Sequence, residues 1–293
     1  MKDRPETLPP WISKRLPRQE ELQPVLDTLR ELRLASVCQE AHCPNLCECF
    51  ARGTATFMIL GRVCTRNCTF CAVHKGAPLP PDPEEPARVA DAAVRMRLRH
   101  VVVTSVTRDD LPDGGSGQFA RTVRAVRERC GATVEVLTPD FQGRAEDIDR
   151  VASEQPDVFN HNVETVPRLY PEVRPMADYA RSLDLLRRVA GHGLVAKSGM
   201  MLGLGETEDE VLAALGDLRD AGCRAVTLGQ YLQPSPRHHA VARFVPPEEF
   251  ERLRQLAEGM GFEGVASGPF VRSSYNAGKL AAQLVRARTC PGK

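Results

Sequence analysis

Residues 38–71 read CQEAHCPNLCECFARGTATFMILGRVCTRNCTFC, and what this stretch builds governs the rest of the chain. The protein has ten cysteines, and seven of them lie here: Cys38, Cys43, Cys47, Cys49, Cys64, Cys68 and Cys71. Between the two groups of thiols runs Thr56 to Leu60, TFMIL, a short apolar run that reads as a buried strand. The second group therefore occupies a loop that follows a strand. Spaced C-x3-C-x2-C, Cys64, Cys68 and Cys71 can hold three irons of a [4Fe–4S] cube and leave the fourth iron open. Structural zinc takes four closed ligands, so a zinc knuckle here would have to borrow one. The first group, C-x4-C-x5-C at Cys38, Cys43 and Cys49, supplies three more thiolates, with Cys47 inside it as either a fourth ligand or a spare thiol. Cys130, Cys223 and Cys290 stand apart and read as small, partly buried residues.

Downstream, apolar strand-like runs alternate with helical patterns. Strands are expected at His100–Val106, Thr133–Leu137, Val158–Val163, Leu194–Leu202 and Ala225–Leu228, with Val265 and Ala266 as a last short one. Helices are expected at Pro86–Arg97, up to Cys130, Arg144–Ser153, Asp178–Ala190, Thr207–Asp220 and Pro247–Met260. Thr207 can cap its helix, and Gly222 can stop it. Upstream, Pro5, Pro9, Pro10 and Pro17 predict an extended arm. An amphipathic helix over Leu22–Arg33 follows it, with Pro24 placed in the first turn. Six strands alternating with helices predict parallel βα units with right-handed crossovers. A doubly wound sheet and a full or partial barrel both satisfy that alternation. In a barrel the chemistry sits at the C-terminal strand ends, where Thr104, Ser105, Asp140, Asn160, Asn162, Glu164, Ser198 and Gln230 fall.

Composition narrows the function classes. The 293 residues carry 39 Lys+Arg against 38 Asp+Glu, a balance that offers no basic excess for a nucleic-acid backbone. No apolar run reaches the roughly 20 residues of a membrane helix. The polar, Pro-rich N-terminus lacks the apolar core of a secretory signal. A cytoplasmic protein is expected, and clustered thiols there read as metal-binding or catalytic rather than as disulfides. No helix shows a sustained heptad, so a monomer is expected.

Several polar residues carry two readings. Thr104 and Ser105 end a strand, where their hydroxyls can bind a polar group of a ligand or close their own turn. Asp109 and Asp110 are neighbours that more readily brace a loop than act as an acid/base pair. Asn162 and Glu164, two apart at a strand end, can face the same side and hold hydroxyls or an ammonium. His161 then points the other way, into packing. Arg174 and Lys197 can bind a cofactor carboxylate or serve as salt-bridge partners. Arg272 can brace a metal site or pair with a carboxylate, and His238 and His239 read as surface residues. A zinc-stapled binding module is the rival from outside the enzymes.

Across nearly the whole chain, from PPWI at 9–12 to RSSY at 272–275, the sequence resembles the lipoyl synthase family of radical S-adenosylmethionine enzymes. CQEAHCPNLCECF, CTRNCTFC, VVVTSVTRDDLPDGG, EVLTPDFQG, FNHNVETVPRLYPEVRP, SGMMLGLGET, GQYLQPS and GPFVRSSYNAG carry the likeness. C-x3-C-x2-C marks the wider superfamily, which usually has an aromatic where Phe70 stands; C-x4-C-x5-C together with RSSY marks the family. The resemblance implies an α/β fold, a partial (β/α)6 barrel over 51–262. An N-terminal extension (1–50) and a C-terminal one (263–293) would cover its mouth. Cys64, Cys68 and Cys71 would hold the [4Fe–4S] cluster that binds S-adenosylmethionine. Cys38, Cys43 and Cys49 would hold a second [4Fe–4S] cluster, with Ser274 rather than Cys47 as fourth ligand. The turn containing Gly203 and Glu206 would lie near the adenine. The implied reaction inserts sulfur at C6 and C8 of an octanoyl-lysine on a lipoyl carrier domain, with the auxiliary cluster consumed as sulfur donor. The carrier would be of the glycine-cleavage H protein or 2-oxoacid dehydrogenase E2 type. Flavodoxin or ferredoxin would supply electrons, and an iron–sulfur carrier would restore the cluster. A methylthiotransferase is the rival within the superfamily, though the chain lacks room for that group's extra domains. Departures from the family pattern are Cys47, Phe50 in place of a Trp, and Ala240 in place of a Pro.

Overall fold

The structure, a computed structural model, describes residues 8–14 and 17–289. Cys290 and the arm's residues 1–7, 15 and 16 lie outside the described residues. Strands β1 (Ala35–Ser36), β2 (Thr56–Ile59), β3 (His100–Ser105), β4 (Thr133–Leu137), β5 (Val158–Asn160), β6 (Ala196–Leu202), β7 (Ala225–Gln230) and β8 (Gly264–Gly268) form one sheet in that spatial order. β1 pairs antiparallel with β2, and every later pair is parallel. A doubly wound sheet reverses its strand order at a switch point. Here each strand adds beside its predecessor, so the sheet is a partial barrel rather than a doubly wound one.

Side-chain alternation divides the sheet into two faces. Val101, Val103, Val134, Val136 and Phe159 point outward into an apolar core shared with Val89, Ala93, Phe119, Val123, Ile148 and Val151 of the surrounding helices. The opposite, inner face carries Thr104, Glu135, Asn160 and Lys197, all buried. A polar inner face is costly unless every group finds a partner, which makes it the place to look for chemistry.

Two elements differ from expectation. The first helix, α1 (Gln19–Glu31), begins three residues before Leu22 and places Pro24 inside it. Glu20 and Glu21 favour the positive N-terminal end of the helix, and Glu21 reaches back to the Arg18 amide at 3.4 Å. The strand expected over Val158–Val163 stops at Asn160, and the chain beyond it curls, with Glu164 at φ +64°.

After β8 the chain turns back along the inner face. Gln230 N donates to Pro269 O at 3.3 Å near the C-terminal end of β7. Ser273 lies against Asn162, just past the end of β5, and against Lys197 in β6. The last helix, α2 (Ala277–Thr289), then packs Ala281 and Leu284 against Val158, Val195 and Ala225, at the N-terminal strand ends. The C-terminal segment therefore starts at the barrel mouth and finishes by closing the opposite end.

Candidate metal centres

The loop that follows β2 is fixed on both sides. Thr65 N donates to Thr107 O, and Thr69 N donates to Val173 O. Arg66, between the first two cysteines, is buried. It grips both oxygens of Asp109 at 2.7 and 3.0 Å and one oxygen of Asp140 at 2.6 Å. Asp110 turns instead to Arg108, so the two neighbouring aspartates brace different arginines. His238 Nε2 lies 3.1 Å from Cys71 O, and His239 N donates to Thr69 O, so both histidines hold this loop rather than standing on the surface. Thr107 N already points at Cys64 Sγ, at 3.3 Å, a contact that stabilises thiolate. Burial raises the pKa of Cys68, and it pushes Cys71 up to about 12. A coordinated cation reverses that balance and deprotonates a ligating thiol.

A cavity of about 350 Å3 holds the other group at the far end of the inner face, beside Thr56 and His100 at the starts of β2 and β3. Cys38, Cys43, Cys49, Arg272 and Ser274 all line it, and Cys47 does not. Ser36 caps the short helix Val37–Glu40 by accepting from Cys38 N. The helix Leu46–Ala51 carries Cys49 into the cavity. Burial raises Cys43 and takes Cys49 up to about 12, with neighbouring thiols adding to it. Among the described residues, no three thiol, imidazole or carboxylate groups converge on one ion. A cubane shares its ligands among different irons, so thiols that frame a cavity fit it better than they fit a lone zinc.

The other expected site residues divide into free and committed groups. Ser105 Oγ and Arg174 Nε are buried without a partner among the described residues. Arg174 Nη1 is occupied by Asn162 O, Val163 O and the Tyr170 hydroxyl. Asn162 Nδ2 donates to Glu164 Oε1 at 3.0 Å, so this pair does meet, through the curl of the chain rather than through strand alternation. Burial raises the Glu164 pKa. Thr104 Oγ1 donates to Leu137 O. Glu206 accepts from Gly203 N and Leu204 N, closing its own turn. At Gly203, with φ +94°, any Cβ would lie 2.4 Å from Arg243 O, so this turn requires glycine. Lys197 bonds Glu135 and Ser273 O. His161 is buried between Thr138 O and the Ser182 hydroxyl, a packing position.

Sequence reasoning missed Lys14, Glu48 and Glu135. Lys14 bonds Asn45 and Glu48, and sits 4.7 and 5.0 Å above the rings of Phe270 and Tyr275. Tyr275 in turn donates to Glu48 at 2.8 Å. Glu135 did leave a signal: an acidic residue within the apolar strand TVEVL needs a buried cation.

Comparison with known proteins completes this picture. The model of the radical SAM superfamily matches residues 58–218. A lipoyl synthase of Caldanaerobacter subterraneus subsp. tengcongensis is 57% identical over 271 residues, covering 92% of this chain and 95% of the relative. The chain belongs to the lipoyl synthase family. A second family member, from Methylococcus capsulatus, is 57% identical and covers 95% of this chain and 88% of its own. Streptococcus suis SuiB bound to precursor peptide SuiA shares the fold alone, with TM-score 0.55 and 11% identity over 87% of this chain and 54% of that one. Family membership makes S-adenosylmethionine and [4Fe–4S] clusters the cofactors of this chain. Among the described residues no helix is long and apolar enough to cross a membrane.

Proposed function

We propose that this chain is a sulfurtransferase that inserts two sulfur atoms, at C6 and C8 of an octanoyl group amide-linked to a carrier-domain lysine, giving a lipoyl group. The supporting observation is the pair of thiol trios at opposite ends of one polar inner face. S-Adenosylmethionine on a reduced cluster supplies hydrogen-atom abstraction from unactivated carbon, and the auxiliary cluster supplies sulfur; no side-chain acid or base can do either. Cys64, Cys68 and Cys71 would hold the mouth cluster, and Cys38, Cys43, Cys49 and Ser274 the auxiliary one. Arg174 Nε and Ser105 Oγ, both without a partner among the described residues, would bind polar groups of the cofactor, with Asn162 and Glu164 beside them. Thr104, through its bond to the neighbouring strand at Leu137 O, and Gly203 and Glu206, through the turn they close, would shape the wall of that site. A serine oxygen is a poorer ligand than thiolate for soft iron, which suits a cluster that must give up sulfur.

The carrier would be an H-protein or E2-type lipoyl domain in the cytoplasm. A flavodoxin or ferredoxin would be the electron source, and an iron–sulfur carrier would refill the auxiliary site. The test is anaerobic reconstitution followed by turnover with an octanoylated carrier peptide. The expected result is 5′-deoxyadenosine plus mono- and dithiolated peptide by mass spectrometry. Zinc without acid-labile sulfide, or neither product from a fully loaded enzyme, would overturn the reading.

A further inference from the structure

We propose that the buried Lys197–Glu135 pair positions Ser274 for the auxiliary cluster, an inference that rests on Ser274 being a ligand of that cluster. Both side chains are only 1% exposed, and Nζ lies 2.7 Å from Glu135 Oε1. A buried ion pair of this kind is often no more stabilising than apolar residues of similar volume, so fold stability alone does not account for it. What the pair does locally is specific. A second Lys197 proton goes to Ser273 O at 2.6 Å. That carbonyl belongs to the peptide plane that also contains the Ser274 nitrogen, so fixing it fixes the direction from which Ser274 departs. The Ser273 hydroxyl is held as well, 2.7 and 2.9 Å from the two amide atoms of Asn162. On the other side, Tyr275 N donates to Arg272 O, and the Tyr275 hydroxyl reaches Glu48.

Both neighbours of Ser274 are thus pinned, while the Ser274 hydroxyl makes no hydrogen bond among the described residues and faces the thiol cavity. His100 Nε2, 3.6 Å from Glu135 Oε2, extends the chain of polar groups back to the cavity wall. The arrangement runs from the barrel interior, through one lysine, to one peptide plane beside the ligand. Lys197 is therefore a positioning residue rather than a cofactor-carboxylate ligand.

The test uses the full chain carrying Cys64→Ala, Cys68→Ala and Cys71→Ala, so that only the auxiliary site loads iron. Into it go Lys197→Arg and the neutral pair Lys197→Met with Glu135→Gln, which avoids leaving one buried charge alone. Each protein is read by thermal unfolding, by the 57Fe Mössbauer signature of the oxygen-ligated iron, by the rate of iron loss to a chelator, and by hydrogen exchange over 269–276. The neutral pair should fold with little change in midpoint, lose the distinct iron signature, and release iron roughly 10–100-fold faster, the range usual for a lost outer partner of a ligand. Lys197→Arg, which keeps a donor, should restore much of the signature. An unchanged signature and unchanged exchange in a folded neutral pair would overturn the proposal. Ser274→Ala separates the two layers: if it also leaves the iron signature intact, the serine-ligand reading has failed, and the proposal fails with it.

Discussion

Substituting Gly229 by alanine tests whether the C-terminal segment runs down the inner face. Gly229 lies in β7, and its φ is not in the left-handed region, so alanine brings no backbone strain of its own. The effect is purely one of space. A Cβ at this position would sit 2.1 Å from Val271 O and 3.1 Å from both Val271 C and Arg272 Nη1. Backbone cannot rotate away as a side-chain tip can, so restoring ordinary contact requires the segment to move out by roughly 1 Å. Overpacking of this kind costs about 1–3 kcal/mol. The displaced stretch lies just before Ser274, so the auxiliary site should suffer more than the fold as a whole. The assay compares urea midpoints and iron retained by the auxiliary site in Gly229→Ala with those in Gly216→Ala. Gly216 sits in the helix Glu208–Asp220, where no described residue comes within 4 Å of the place an alanine Cβ would take. Alanine there should stabilise by about 0.5–1 kcal/mol and leave iron untouched. If Gly229→Ala keeps both its midpoint and its iron, the segment does not lie where this reasoning places it.

Two further predictions concern different parts of the molecule. Burial lowers His161 from the ordinary 6.5 to about 4, with the Arg174 charge adding to it. The unfolded chain therefore binds more protons between those values, so stability should fall as pH drops from 6.5 toward 4, by roughly 3 kcal/mol in all, and this contribution should be flat above pH 7. Denaturant midpoints measured across that range check this, and a level profile would contradict it. Cys47→Ala should leave iron and sulfide content unchanged, because Cys47 does not line the thiol cavity, whereas Cys49→Ala should empty the auxiliary site. Equal losses in the two variants, measured by iron and sulfide analysis, would make Cys47 a ligand.

The alternation of elements was legible because each strand and helix writes its own period into the chain. Where the forecast slipped, tertiary contacts had outweighed local pattern. Val158–Val163 reads as one strand in the sequence, yet the chain curls after Asn160, where Arg174 binds Asn162 O and Val163 O. His238 and His239 look like surface residues in a Pro-flanked loop, but both hold the cysteine loop of a distant segment.

The sequence by itself determined which atoms could carry the chemistry: two trios of thiols at fixed spacings, one following a strand, and a serine pair near the C-terminus. Spacing suffices for that, because ligands on one short loop are near each other in any fold. It did not determine which end of the barrel each trio occupies. On spacing alone it also left open whether Ser274 or Cys47 lines the cavity of the second trio, and which groups Lys197 bonds. Those outcomes depend on a segment more than 200 residues downstream returning along the inner face and being tied to Asn45, Asn162 and Lys197. Contacts at that separation leave no periodicity in the chain, so only the tertiary structure could decide them.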